Sequence, residues 1–101
     1  PAFEALSRYP AIRRDLAIVV DESISADAVR DVIQRAAGAV LESVALFDVY
    51  RGKGVSEGCK SLAMGLILQD KTRTLTDNEV DGVQRAVVDA LGETLNAELR
   101  E

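Results

Sequence analysis

The chain has 101 residues, 48% apolar and 29% charged, with a formal charge of −5, one cysteine and no histidine. That length suits a single domain with one core, and the apolar share argues against disorder. The lack of histidine and the lone Cys59 exclude histidine triads, histidine metal sites, cysteine zinc clusters and an internal disulfide. No apolar run reaches the ~18 residues a membrane span needs. No basic stretch leads into an apolar one at the start, so no signal peptide is expected. The start at Pro1 rather than Met suggests a fragment or a processed chain.

In chain order, residues 1–6 read as a linker remnant and residues 7–101 as one domain. Tyr9-Pro10 favours extended backbone, because the proline ring disfavours helix at the residue before it. Asp15 to Val20 reads as a strand, with Leu16, Ile18 and Val20 on one face and Ala17 and Val19 on the other. Ser25 is a helix N-cap; Val29, Val32, Ile33 and Ala36 follow at helical spacing, and Gly38 can end the helix. Leu41 to Arg51 is a second strand. Gly52 to Gly58 is a glycine-punctuated loop that joins two strands, so a hairpin fits it better than a phosphate cradle, which leads into a helix. Lys60 to Gln69 is a third strand with Leu62, Met64, Leu66 and Leu68 inward. Thr76 and Glu79 form a capping box, and Val80, Val83, Val87, Val88 and Leu91 give the second helix its apolar side. Gly92 is expected to end that helix, and Leu95 to Arg100 to form a last strand.

The order βαββαβ is satisfied by a ferredoxin-like α+β sandwich: a four-stranded, mostly antiparallel sheet with both helices on one face. The other face stays open. Alternation along the second strand sends Ala45, Phe47 and Val49 toward the core and Leu46, Asp48 and Tyr50 away from it. The open face is then expected to carry Ala17, Val19, Asp48, Tyr50, Ser61, Ala63, Gly65 and Ile67, with Tyr50 its only aromatic. A carboxylate accepts from the Watson–Crick edge of guanine, and an aromatic ring stacks on a base, so this face is a candidate RNA-reading surface. The negative charge argues the other way for a generic nucleic-acid binder. Its distribution softens this. Arg8, Arg13 and Arg14 cluster before the first strand, Arg51, Lys53 and Lys60 flank the loop, and many acids lie beyond Thr76.

Four segments, Tyr9 to Ala17, Leu46 to Gly52, Lys60 to Ala63 and Arg73 to Asp77, together resemble the ferredoxin-fold anticodon-binding domain of bacterial phenylalanyl-tRNA synthetase β subunits. The resemblance covers about Ser7 to Arg100. It implies that the domain binds the anticodon stem-loop of phenylalanine tRNA within a cytoplasmic α2β2 enzyme whose catalytic site lies in the α subunit. On the matching positions, Asp48 would accept from guanine, Tyr50 would stack on it, and Ala17 and Ser61 would line its pocket. Arg13, Arg14, Arg51, Lys53 and Lys60 are phosphate-contact candidates on charge and position. No cofactor or metal is expected on this chain, since ATP and Mg2+ would serve the rest of the enzyme, and neither DNA nor a membrane is an expected partner. The competing reading is a regulatory amino-acid-binding domain of the same fold. Its ligand loops would lie at Asp21 to Ile24 and Asp70 to Arg73, which form no glycine-rich pocket. An acylphosphatase-like enzyme would want a glycine-rich anion loop after the first strand, and a metallochaperone would want paired cysteines.

Overall fold

The computed structural model describes residues 9–100, so the expected linker remnant and Arg8 lie outside the described residues. The elements are β1 (Ile12–Asp21), α1 (Ala26–Ala37), a 3-10 turn (Gly38–Val40), β2 (Leu41–Tyr50), β3 (Cys59–Leu68), α2 (Asp77–Leu95) and β4 (Glu98–Leu99). The sheet order is β2-β3-β1-β4, and every neighbouring pair is antiparallel. Each helix therefore carries the chain across one intervening strand: α1 links β1 to β2 with β3 between them, and α2 links β3 to β4 with β1 between them. This is the ferredoxin-like arrangement expected from the element order.

The caps behave as their residue types require. Ser25 Oγ accepts from the Ala28 amide at 3.0 Å, and Gly38 closes α1 at φ 73°, in the left-handed region that glycine enters without steric cost. Thr76 Oγ1 accepts from the Glu79 amide at 3.1 Å while the Glu79 carboxylate accepts from the Thr76 amide at 3.0 Å. One side of the sheet supplies Leu16, Ile18, Val20, Leu62, Met64, Leu66 and Leu68 to a core completed by Val29, Val32 and Ile33 of α1 and Val80, Val87 and Leu91 of α2. Both helices thus cover the same face, and burial of each large aliphatic side chain contributes about 1.5–3 kcal/mol.

Three expectations need correction. Gly92 does not end α2, which runs on to Leu95 and closes at Asn96, φ 54°. A mid-helix glycine costs only about 1 kcal/mol. A Cβ on Gly92 would meet only the Ala97 carbonyl, at 3.6 Å, an ordinary contact, so the position does not require glycine. The last strand is correspondingly only Glu98–Leu99. The third correction concerns β2. Leu46 pairs with Met64 but Asp48 pairs with Ala63, so β2 advances two residues while β3 advances one. Phe47 is the extra residue of a β-bulge. The slip reverses the assignment of faces from Ser43 to Phe47, and a second shift between Leu41 and Ser43 restores it at Leu41. Val44 and Leu46 turn inward, and Ala45 and Phe47 turn outward, whereas Asp48, Val49 and Tyr50 keep the faces that alternation gave them.

Candidate nucleic-acid interface

The strand register lays out the open face as rows running across the sheet. One row holds Tyr50, Ser61, Val19 and Glu98. The next holds Asp48, Ala63 and Ala17, and the Arg100 amide extends it by donating to the Ala17 carbonyl at 2.7 Å. A third holds Ala45, Gly65 and Asp15, and a fourth Ser43, Ile67 and Arg13. The four residues expected to read a base, Ala17, Asp48, Tyr50 and Ser61, therefore fall in two adjacent rows. The floor between them, Ala17, Ala63 and Ser61, is made of small side chains.

Asp48 is exposed and, among the described residues, its side chain makes no hydrogen bond or ion pair. Its carboxylate lone pairs are free for a ligand donor. Tyr50 is fixed at both ends of its side chain. Its hydroxyl donates to the Lys53 carbonyl at 2.8 Å, and the Arg100 guanidinium lies 4.7 Å from its ring centroid. Gly52 makes the first of these contacts possible. Its φ of 125° bends the hairpin over the ring, and a Cβ there would meet the Tyr50 hydroxyl at 3.5 Å. Arg100 and Tyr50 start from opposite edges, about 14 Å apart across three strand spacings. They meet because both side chains reach inward over the central strands. Ser61 is accordingly only 3% exposed although it belongs to the open face.

The expected phosphate contacts are dispersed. Arg13 lies on the open face, paired with Asp15 at 2.7 Å and with its guanidinium 5.3 Å from the Phe47 ring centroid. Arg14 points the other way, toward α2, where it donates to Asp81 at 3.1 Å and Gln84 at 3.0 Å. Arg51 grips Glu22 through two nitrogens, the Nη2 bond being 2.8 Å. Lys60 comes within 3.5 Å of the same carboxylate, its side chain largely covered. Arg51 hydrogen bonding, helped by Lys60, holds the Glu22 carboxyl down at about 2. Of these five cations, Lys53 alone has no carboxylate partner among the described residues.

Two residues of this surface escape sequence reasoning. Phe47, expected in the core, is 54% exposed on the open face, and its Cε1 would lie 3.4 Å from a Cβ on Gly65. The available signal is that Val44 and Leu46 share a parity that Val49 does not, so all three face the helix side only if β2 slips by one. Arg100 carries no motif. Its role follows from β4 pairing with β1, which sets it beside Ala17.

A profile described as Ferredoxin-fold anticodon binding domain matches residues 7–100. The chain is similar to the phenylalanine–tRNA ligase beta subunits of Moorella thermoacetica, at 52% identity, and of Pseudomonas syringae pv. syringae and Shewanella oneidensis, at 50% each. Each similarity covers all of this chain, over 101 residues, and 13% of the relative, so the chain spans about an eighth of the curated proteins it matches. With the profile covering nearly its whole length and the ferredoxin-like sheet that the profile names, the chain belongs to the ferredoxin-fold anticodon-binding domain family.

Proposed function

We propose that this domain reads the first anticodon base of a phenylalanine tRNA on its open sheet face, as the RNA-recognition module of a phenylalanine–tRNA ligase β subunit. The observation that carries the reading is the Asp48 carboxylate: exposed, unpartnered among the described residues, and one row from the Tyr50 ring across a floor of small side chains. Guanine offers N1–H and an exocyclic amine on one edge, and one carboxylate accepts both. Adenine presents an unprotonated N1 there, which would face the carboxylate lone pair to lone pair. Asp48 therefore selects guanine, and Tyr50 stacks on the base once the Arg100 guanidinium leaves its ring. Ala17 and Ser61 line the pocket floor.

On this reading the chain supplies recognition, and aminoacylation, with its ATP and Mg2+, belongs to the remainder of a cytoplasmic α2β2 enzyme. Lys53 is the phosphate contact that costs no broken ion pair. Arg13 and Arg51 join it only by leaving Asp15 and Glu22. The experiment is a binding titration of the 101-residue chain with anticodon stem-loops bearing guanine or adenine at the first position. Wild type is expected to prefer guanine, and Asp48→Ala to lose about 1–3 kcal/mol of that preference. Equal affinity of wild type for both loops overturns the proposal.

A further inference from the structure

The β-bulge in β2 sets a second aromatic on the open face, beyond the row that holds Asp48. We propose that Phe47 and Gly65, with Arg13 beside them, form a second base-stacking position, occupied by a nucleotide adjacent to the one read by Asp48 and Tyr50. The inference rests on the proposed anticodon reading and extends it.

Phe47 is the most exposed large hydrophobic residue among those described, at 54%, on a face whose other side chains, Tyr50, Val19 and Ile67 apart, are small or polar. The core does not need it there. Leu46 already fills the inward position opposite Met64, and the extra residue turns the ring outward. The ring lies close over the backbone of Gly65, where a Cβ would meet Phe47 Cε1, Arg13 Nη2 and Asp15 Oδ1, all at 3.4 Å. The missing Cβ thus lets the Phe47 ring approach the sheet closely at this point. Arg13, Ser43, Ala45, Phe47, Gly65 and Ile67 enclose a shallow depression of about 310 Å³. That is the small end of ligand-site volumes, sized for one flat ring system rather than for a helix or strand of a protein partner.

Spacing identifies the occupant. On β3 the Gly65 row lies four residues from the Ser61 row that carries Tyr50 but two residues from the Ala63 row that carries Asp48, the latter being about 7 Å along the strand. An unstacked single strand covers that distance in one nucleotide step. Sheet-borne aromatics that stack successive bases are an established way to hold single-stranded RNA. Arg13 suits the site because a guanidinium can stack beside the base or turn to its phosphate.

The test uses the 101-residue chain and anticodon stem-loops carrying 2-aminopurine, whose fluorescence reports stacking. The probe is placed in turn at each of the two neighbours of the first anticodon position, while the first position carries a fluorescent guanine analogue that keeps N1–H and the exocyclic amine, because 2-aminopurine lacks the N1–H that Asp48 would accept. Phe47→Ala is expected to abolish the response at one neighbour and weaken binding about five-fold or more, while the response at the first position persists. Phe47→Trp restores the neighbour's response, which separates stacking from any general effect on the fold. A first-position response with none at either neighbour overturns this inference and leaves the anticodon reading standing. No response at any position overturns both. Binding unchanged by Phe47→Ala, with the neighbour's response intact, also overturns the second position.

Discussion

Arg100 sits where the proposed base must stack, and its removal has a sign that simple charge arguments get wrong. The guanidinium lies 4.7 Å from the Tyr50 ring centroid. Among the described residues it has no carboxylate partner to hold it elsewhere. A cation–π contact of this exposed kind is worth about 0.5–1 kcal/mol. A base that stacks on the same ring face must first displace it, so the stacking gain of about 1–3 kcal/mol is realised only after that loss. Arg100→Ala removes the competitor, and the freed 0.5–1 kcal/mol corresponds to about two- to five-fold tighter binding. The lost positive charge acts in the opposite direction at low salt. That attraction is screened over about 10 Å at 0.1 M and about 3 Å at 1 M. The assay is therefore a salt series of stem-loop titrations on wild type and Arg100→Ala. The affinity ratio of variant to wild type is expected to climb with salt toward two- to five-fold. In a Tyr50→Ala background the same substitution is expected to give no gain, because the shared ring is gone. Weaker binding by Arg100→Ala at every salt concentration, or an equal gain without Tyr50, refutes the displacement argument.

Two further outcomes follow from where the cations point. Arg14→Ala is expected to leave stem-loop affinity unchanged and to lower stability by no more than about 1 kcal/mol, since Arg14 holds the partly exposed Asp81 on the helix side; a clear loss of RNA affinity with intact thermal stability would contradict this. Arg51 hydrogen bonding lowers the Glu22 carboxyl from 4.5 to about 2 in the folded chain. Its stabilisation is thus complete above pH 4.5 and is lost as pH falls through about 2. Thermal unfolding of wild type and Glu22→Gln should therefore differ above pH 4.5 and converge near pH 2, and melting curves that stay parallel across that window would refute the pairing.

Much of the fold is written locally. The Ser25 cap, the Thr76–Glu79 box and the inward series Leu62, Met64, Leu66 and Leu68 each depend on neighbours within a few residues, and each is legible in the sequence. The open-face positions of Ala17 and Ser61 follow from simple alternation on β1 and β3. Asp48 and Tyr50 were assigned correctly only because they lie beyond the bulge, on the stretch whose parity matched. Phe47 was misassigned because a bulge is chosen by competition between two packings of the whole strand, Val44 and Leu46 inward or Ala45 and Phe47 inward, and alternation cannot weigh them. Leu46 fills the space opposite Met64 better than Ala45 would. Gly92 does not mark the end of α2 because Asn96, four residues on, takes the left-handed conformation that closes it. Arg14 and Arg51 read as phosphate contacts on charge and position, but Asp81 and Glu22, 67 and 29 residues away in sequence, claim them in three dimensions.

The most direct test of the open face as the RNA-reading surface is an amide NMR titration of the labelled chain. A guanine-bearing anticodon stem-loop and its adenine counterpart would be added at equal salt. Shifts centred on Ala17, Asp48, Tyr50, Ser61 and Arg100, and weaker with the adenine loop, are the expected result. Shifts confined to α1 and α2, or identical responses to the two loops, would contradict the account.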